Sequence, residues 1–450
     1  MRISPIAALA AVAVTAAALA SCSGPGPAAL PGSADQQPAV RGPAVTLRVA
    51  LYGSPGYQQA GLFTAYQRLH PGIRIVADVT GQEPAYWQTL RRHLATGSGL
   101  GDLVAIPMAQ IGEAVHRYRS SLVPLSTLGG VGGGVNTFED QWLPWIWQPA
   151  YHAGQAYAIG AETGPLALCY RPQLLTEAGL PSSPARLARD WSTWQSYLAF
   201  GREFRQRIPR GPAFMDSVTS VYDAMVSQAG PVPAGQAAPA SQGAPAGQAA
   251  PSGPAGDPAV KRAWDSAATA AKDGLGAGLA PQTRAWDTGV ARLSFATTVC
   301  PPWLLGPIER LSGRHGAGTW AVTTVPGGTG DWGGFYLAVP RASAHQQDAY
   351  QLAAYLSGQQ AGPALARSGA FPASSPAINA STAVTSTYFS GSATGRIFAL
   401  AATRMPATGT PDPAATALAP LVGAALAQVQ GGILTPARAW SRLLRQTTGG

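Results

Sequence analysis

The chain has 450 residues, 46% of them hydrophobic and 11% charged, with a formal net charge of +9. That is more chain than one ordinary core holds and is comfortable for two lobes. Arginine supplies all the basic residues except Lys261 and Lys272, and no run of five basic residues occurs, so nothing marks a nucleic-acid partner.

Arg2 is the only charge before Asp35, and an Ala/Leu/Val-rich stretch runs from Ile6 to Leu19. A short positive region followed by a brief apolar one is the pattern of a secretory signal, here residues 1–21. It ends in Leu19-Ala20-Ser21-Cys22, which resembles the lipobox of bacterial lipoproteins. The resemblance implies lipidation of Cys22 and residence on the outer face of the cell membrane. Residues 22–44 are Gly, Pro and Ala-rich, a flexible tether with a reach of roughly 25 Å. No later segment offers 18 or more apolar residues in a row, so the lipid is the only membrane attachment expected.

From Val45 the chain alternates between strand and helix patterns. Val45 to Tyr52 alternates apolar and polar residues as a half-buried strand does, and Gln58 to Leu69 has helical spacing. His70-Pro71-Gly72 breaks that helix before a second strand, Ile73 to Val79. Trp87, Leu90 and Leu94 mark another helix, Leu103 to Ile106 a third strand, and Gln110 to Arg119 a helix. This alternation predicts a parallel sheet with helices on its faces. Between Pro231 and Gly256 the composition collapses to Pro, Ala, Gly, Gln and Ser with one Val, a disordered low-complexity insertion.

Several segments appear in an order that resembles a known family. Gly53 to Tyr57 follows the first strand, then come HPGIRI and GDLVAI, the latter with Asp102. GQAYAIGAETGPLALCYRPQLLTEAGLP runs from Gly154 to Pro181, and DWSTWQSYLAFGREF from Asp190 to Phe204. RAWDTGVARLSFATTVCPPWLLGPI runs from Arg284 to Ile308, TWAVTTVPGGTGDWGGFYLAVPRAS from Thr319 to Ser343, and FPASSPA from Phe371 to Ala377. Together these resemble the family 1 extracellular solute-binding proteins of bacterial carbohydrate-uptake ABC importers.

The resemblance implies an α/β, two-lobed, periplasmic-binding-protein-like type II fold with discontinuous lobes and a hinge. Lobe I is expected at 45–158 plus 325–357 and lobe II at 163–320 plus 360–450, with 231–256 inserted in lobe II. The chain should cross between lobes near 157–163, 320–326 and 357–362. It also implies a monomer without a cofactor that hands a carbohydrate to ABC permease subunits. Trp303 matches a family tryptophan that faces the cleft, where an indole stacks on a sugar's C–H face with an N–H at its edge; otherwise it is a packing residue. Trp332, beside two glycines, and Trp286 are further aromatic candidates. Glu162 stands where many relatives have Asp. Asp216 is placed either to accept sugar hydroxyls or to cap the helix after it. Tyr57 and Gln110 are cleft-loop candidates from lobe I. Trp142, Trp145 and Trp147 read as a packed corner or an extended subsite. With Cys22 acylated, Cys169 and Cys300 have one possible pairing outside the cytoplasm, or stay as buried thiols. The matched cleft motifs hold no arginine except Arg171, which should point into lobe II, so a neutral sugar is expected.

The rival class is a secreted hydrolase. No G-x-S-x-G, S-x-x-K or H-E-x-x-H occurs, and Gly129 to Gly134 lacks the Lys-Ser/Thr of a phosphate loop. A polyamine binder would need several cleft carboxylates from a total of 21 Asp and Glu.

Overall fold

A computed structural model of the protein describes residues 45–129, 139–229, 257–406 and 413–448. The signal, the tether with Cys22, the 231–256 insertion and the glycine run beyond Gly129 lie outside the described residues.

Two sheets organise the fold. Strand β1 (Val45–Tyr52) buries Leu47, Val49 and Leu51 and exposes Thr46 and Arg48, as its alternation requires. It lies parallel to β2 (Ile73–Thr80) on one side and β3 (Leu103–Pro107) on the other. The helix between β1 and β2 opens at Leu62 rather than Gln58, because Gly61 takes a left-handed conformation (φ 69°) at the end of a turn. Farther on, a small hairpin of β4 (Tyr151–His152) and β5 (Gln155–Ala156) leads to β6 (Ile159–Pro165).

The chain leaves the first sheet at once. β6 ends at Pro165, and β7 (Ala167–Tyr170) already belongs to the second sheet. β7 runs antiparallel to β9 (Phe295–Cys300) and β10 (Ala321–Thr324), and β8 (Ala213–Met215) pairs parallel with β9. Leu168 and Tyr170 face one hydrophobic core and Ala167 and Cys169 another, so helices cover both faces of this sheet. The matched segment from Asp190 to Phe204 begins at the end of one helix, Pro184–Asp190, and is mostly a second, Trp194–Arg207, opened by a Thr193–Ser196 capping box. Cys169 and Cys300 form a disulfide across β7 and β9, with Cα atoms 5.7 Å apart.

After β10 the chain returns through Pro326 to Gly330 into β11 (Asp331–Ala338), which lies antiparallel between β3 and β6. The third passage is later than the expected 357–362. Ala361, Leu365 and Ala370 still pack in the first core, and only Phe371 joins the second lobe's. There Phe371 and Pro372 accept bonds from Thr163 N–H (2.9 Å) and Oγ1 (3.2 Å), which fastens this passage beside β6. Trp145 and Trp147 are buried in the first core and Trp142 donates to Gly160 O at 2.9 Å, as a packed corner requires.

Candidate functional site

A cleft of about 520 Å³ opens where the two lobes meet. One wall comes from the carboxyl ends of parallel strands, the usual ligand edge of an open α/β sheet. Tyr52 ends β1 and Gly53 to Pro55 follow it, and Gly81 to Pro84 follow β2 and start the helix Glu83–Thr96. β6 contributes Glu162, and β11 contributes Trp332 to Phe335. The opposite wall is built by two second-lobe helices. Arg284–Ala291, capped by Thr283 Oγ1 accepting from Trp286 N–H at 3.2 Å, brings Trp286 and Asp287. Pro302–Ser312 starts directly after β9 with a proline in its first turn, and brings Trp303, Pro307 and Arg310.

Four of the seven sequence candidates therefore meet in one cleft: Glu162, Trp286, Trp303 and Trp332. Their roles differ from the expected ones. Trp303 is half-buried, and its indole N–H donates to the backbone oxygen of Trp332 at 3.1 Å. Its polar edge is thus spent on the protein, and only its apolar plane is left for a ligand. Trp286 is fully buried, so it backs the wall. Its N–H donates to Asp216 at 2.9 Å, and Thr298 Oγ1 donates to the same carboxyl oxygen at 2.7 Å.

Asp216 itself is buried away from the cleft lining. It holds Trp286 in place and receives the next residue's N–H, from Ser217 at 2.7 Å. Burial pushes its carboxyl up to about 7, although these donors pull the other way. Tyr57 is also buried, edge-on to Phe335 with ring centroids 5.9 Å apart, behind the wall instead of in it. Gln110 closes the short turn Met108–Gln110 and does not line the cleft. Arg171 points into the second lobe, with Nη2 donating to Val290 O at 2.6 Å and its guanidinium 4.1 Å over Trp320.

Glycines set how close the two central strands come. Gly334, at φ +119°, sits so near β6 that a Cβ would lie 2.1 Å from Glu162 O. What approaches the backbone here is thus the neighbouring strand. Asp331 accepts from Gly164 N–H (2.8 Å) and Gly333 N–H (2.9 Å), and burial pushes its carboxyl up to about 7 against those bonds. Tyr52 donates its hydroxyl to Gly334 O at 2.9 Å.

Glu162 is 8% exposed, and one carboxyl oxygen accepts from Gly56 N–H at 3.2 Å. Burial raises its carboxyl to about 8, with the Gly56 bond pulling down. Burial also raises Glu83. Tyr52, Glu83, Asp287 and Arg310 were missed by sequence reasoning. A signal existed for Arg310: Trp303, Pro307 and Arg310 stand at i, i+4 and i+7 and share one helix face.

The described residues include no group of three or more His, Cys, Asp or Glu placed to hold a metal, and no helix among them is long and apolar enough to cross a membrane. The family model for bacterial extracellular solute-binding proteins matches residues 61–388. The chain belongs to that family. A solved family 1 extracellular solute-binding protein is 30% identical, with a TM-score of 0.74, and the match covers 90% of this chain and 99% of that one. The ABC-transporter binding protein of B. animalis subsp. lactis Bl-04, solved with beta-1,6-galactobiose, is 18% identical with a TM-score of 0.66, covering 89% and 96%. The galacto-N-biose/lacto-N-biose I-binding protein of Bifidobacterium longum, solved with lacto-N-biose, is 16% identical with a TM-score of 0.66, covering 91% and 97%. Both share the two-lobed α/β fold of this solute-binding protein. Among curated proteins no sequence match is found.

Proposed function

We propose that this solute-binding protein captures a sugar or oligosaccharide between its lobes and delivers it to the permease of an ABC importer. One observation carries the reading: a cleft of about 520 Å³ between the lobes presents the apolar plane of Trp303 and the ring of Trp332 beside carboxyl acceptors. Indole planes suit the C–H faces of pyranose rings, and carboxyls suit their hydroxyls. The structural relatives solved with galactobiose and lacto-N-biose support it. The solute touches both walls only when the lobes are together, so binding shifts the population toward closure. A dissociation constant near about 1 μM, or about −8 kcal/mol, would let the protein hold its cargo and still release it.

The lipid on Cys22, with residues 23–44 as its tether, holds a monomer at the outer membrane face in this reading. Thermal-shift screening of the purified protein against mono- and oligosaccharides, followed by titration calorimetry, tests the capture. A broad panel without one binder would remove the carbohydrate assignment. Intact-mass analysis of host membrane fractions tests the anchor, and mature protein with an unmodified Cys22 would exclude it.

A further inference from the structure

We infer that the sugar suited to this cleft carries a basic amine, and that the Glu162 carboxylate meets its ammonium group. The inference rests on the carbohydrate reading above and replaces the neutral sugar expected from the sequence. The lining holds three carboxyl groups, Glu83, Glu162 and Asp287, against a single guanidinium, Arg310. Arg310 is exposed, whereas Glu162 is buried at the crossing between the lobes. Only one oxygen of Glu162 is engaged, by Gly56 N–H; the other has no partner among the described residues, and the residue lines the cleft.

Among the described residues no cation pairs with Glu162. β1 and its loop present the phenols of Tyr52 and Tyr57, the start of the helix after β2 presents Glu83, and β11 sets Phe335 opposite Glu162. Across the cleft stand Asp287 and Arg310, and no described Lys, Arg or His lies within ion-pair distance of Glu162. Burial holds the Glu162 carboxyl up to about 8, so in the empty cleft at neutral pH it keeps its proton. An ammonium at hydrogen-bond distance reverses this: the carboxyl ionises, its proton leaves to solvent, and a charge-assisted pair forms. A hydroxyl group brings no charge to drive that ionisation.

Titration calorimetry on the purified full chain tests the inference. The panel pairs mono- and disaccharides with their amino forms, including cellobiose, the β-1,4 glucosamine dimer and its N-acetylated form, with spermidine as a sugar-free cation. Buffers of different ionisation enthalpy at about pH 6.5 report the proton. The expected result is an amino sugar that binds at least about tenfold more tightly than its neutral counterparts and releases close to one proton per site. Glu162→Gln keeps an oxygen for Gly56 N–H, and it should erase both the preference for the amino form and the proton release. Neutral sugars that bind as tightly as their amino forms would overturn the inference and leave the carbohydrate reading standing. Amino-sugar binding that releases no proton or ignores Glu162→Gln would do the same. Spermidine binding without any sugar, or no binding at all, would overturn both.

Discussion

Gly334→Ala is the sharpest test of how the cleft wall is built. The new Cβ would lie 2.1 Å from Glu162 O, 2.7 Å from Glu162 C and 2.8 Å from Thr163 Cα, all of them backbone. Ordinary contact begins near 3.4 Å, so β6 and β11 must part by the 1.3 Å between 3.4 and 2.1. No side-chain rotation relieves that. The residue also sits at φ +119°, which alanine adopts only with strain of about 1–3 kcal/mol. Overpacking adds a similar amount, for a loss of about 2–6 kcal/mol in unfolding free energy. Gly333→Ala is the matched control: φ is +94°, but nothing lies within 4 Å of its Cβ, so it carries strain alone. Denaturant unfolding should rank parent, Gly333→Ala and Gly334→Ala in falling stability, and calorimetry should show weaker sugar binding in the last because Glu162 moves with β6. A Gly334→Ala protein as stable as the Gly333→Ala control would refute so close an approach of the strands.

Trp303→Ala removes the apolar plane and the bond to Trp332 O, and should weaken binding of a validated sugar about tenfold or more; equal affinity by calorimetry would return Trp303 to packing. Asp216→Ala strands the N–H groups of Trp286 and Ser217 in a buried setting, for a loss of about 2–4 kcal/mol. Unchanged denaturant stability with abolished sugar binding would instead make Asp216 a ligand acceptor. Glu162 is held at about 8 in the fold against an ordinary 4.5, so its contribution to stability is fully present below about 4.5 and is lost as pH rises through 8. Calorimetric melting of the empty protein across that window should show a decline of up to about 1.4 kcal/mol per pH unit from this group, flattened in Glu162→Gln; parallel curves would argue against a buried, unpaired carboxyl.

What the sequence exposes and what it hides divide along physical lines. Alternation in Val45 to Tyr52 and the breaker His70-Pro71-Gly72 are local, so strand and helix identities could be read there. Ordered motifs carried the two lobes and brought Glu162, Trp286, Trp303 and Trp332 forward. Which side of a wall a residue occupies is a tertiary fact. Asp216 has the same sequence neighbours whether its carboxyl meets a sugar or the Trp286 indole, and only the fold brings Thr298 and Trp286 to it. Tyr57 belongs to the right loop but turns behind Phe335.

The charge of the cleft was hidden for a different reason. Glu83, Glu162, Asp287 and Arg310 come from segments far apart in the chain, and a motif search that asks only for arginine within matched segments cannot sum them. Whole-chain charge misleads as well: a net +9 coexists with a lining in which carboxyls outnumber guanidinium three to one. Exposed arginines on the hydrated surface set the first quantity, and those more than a Debye length from the cleft are largely screened from a ligand in it. The second quantity governs recognition, because charges in the low-dielectric cleft interact more strongly than those in water. Solute charge is therefore to be argued from the groups that share the cleft, and Glu162, buried with one oxygen free, weighs most among them.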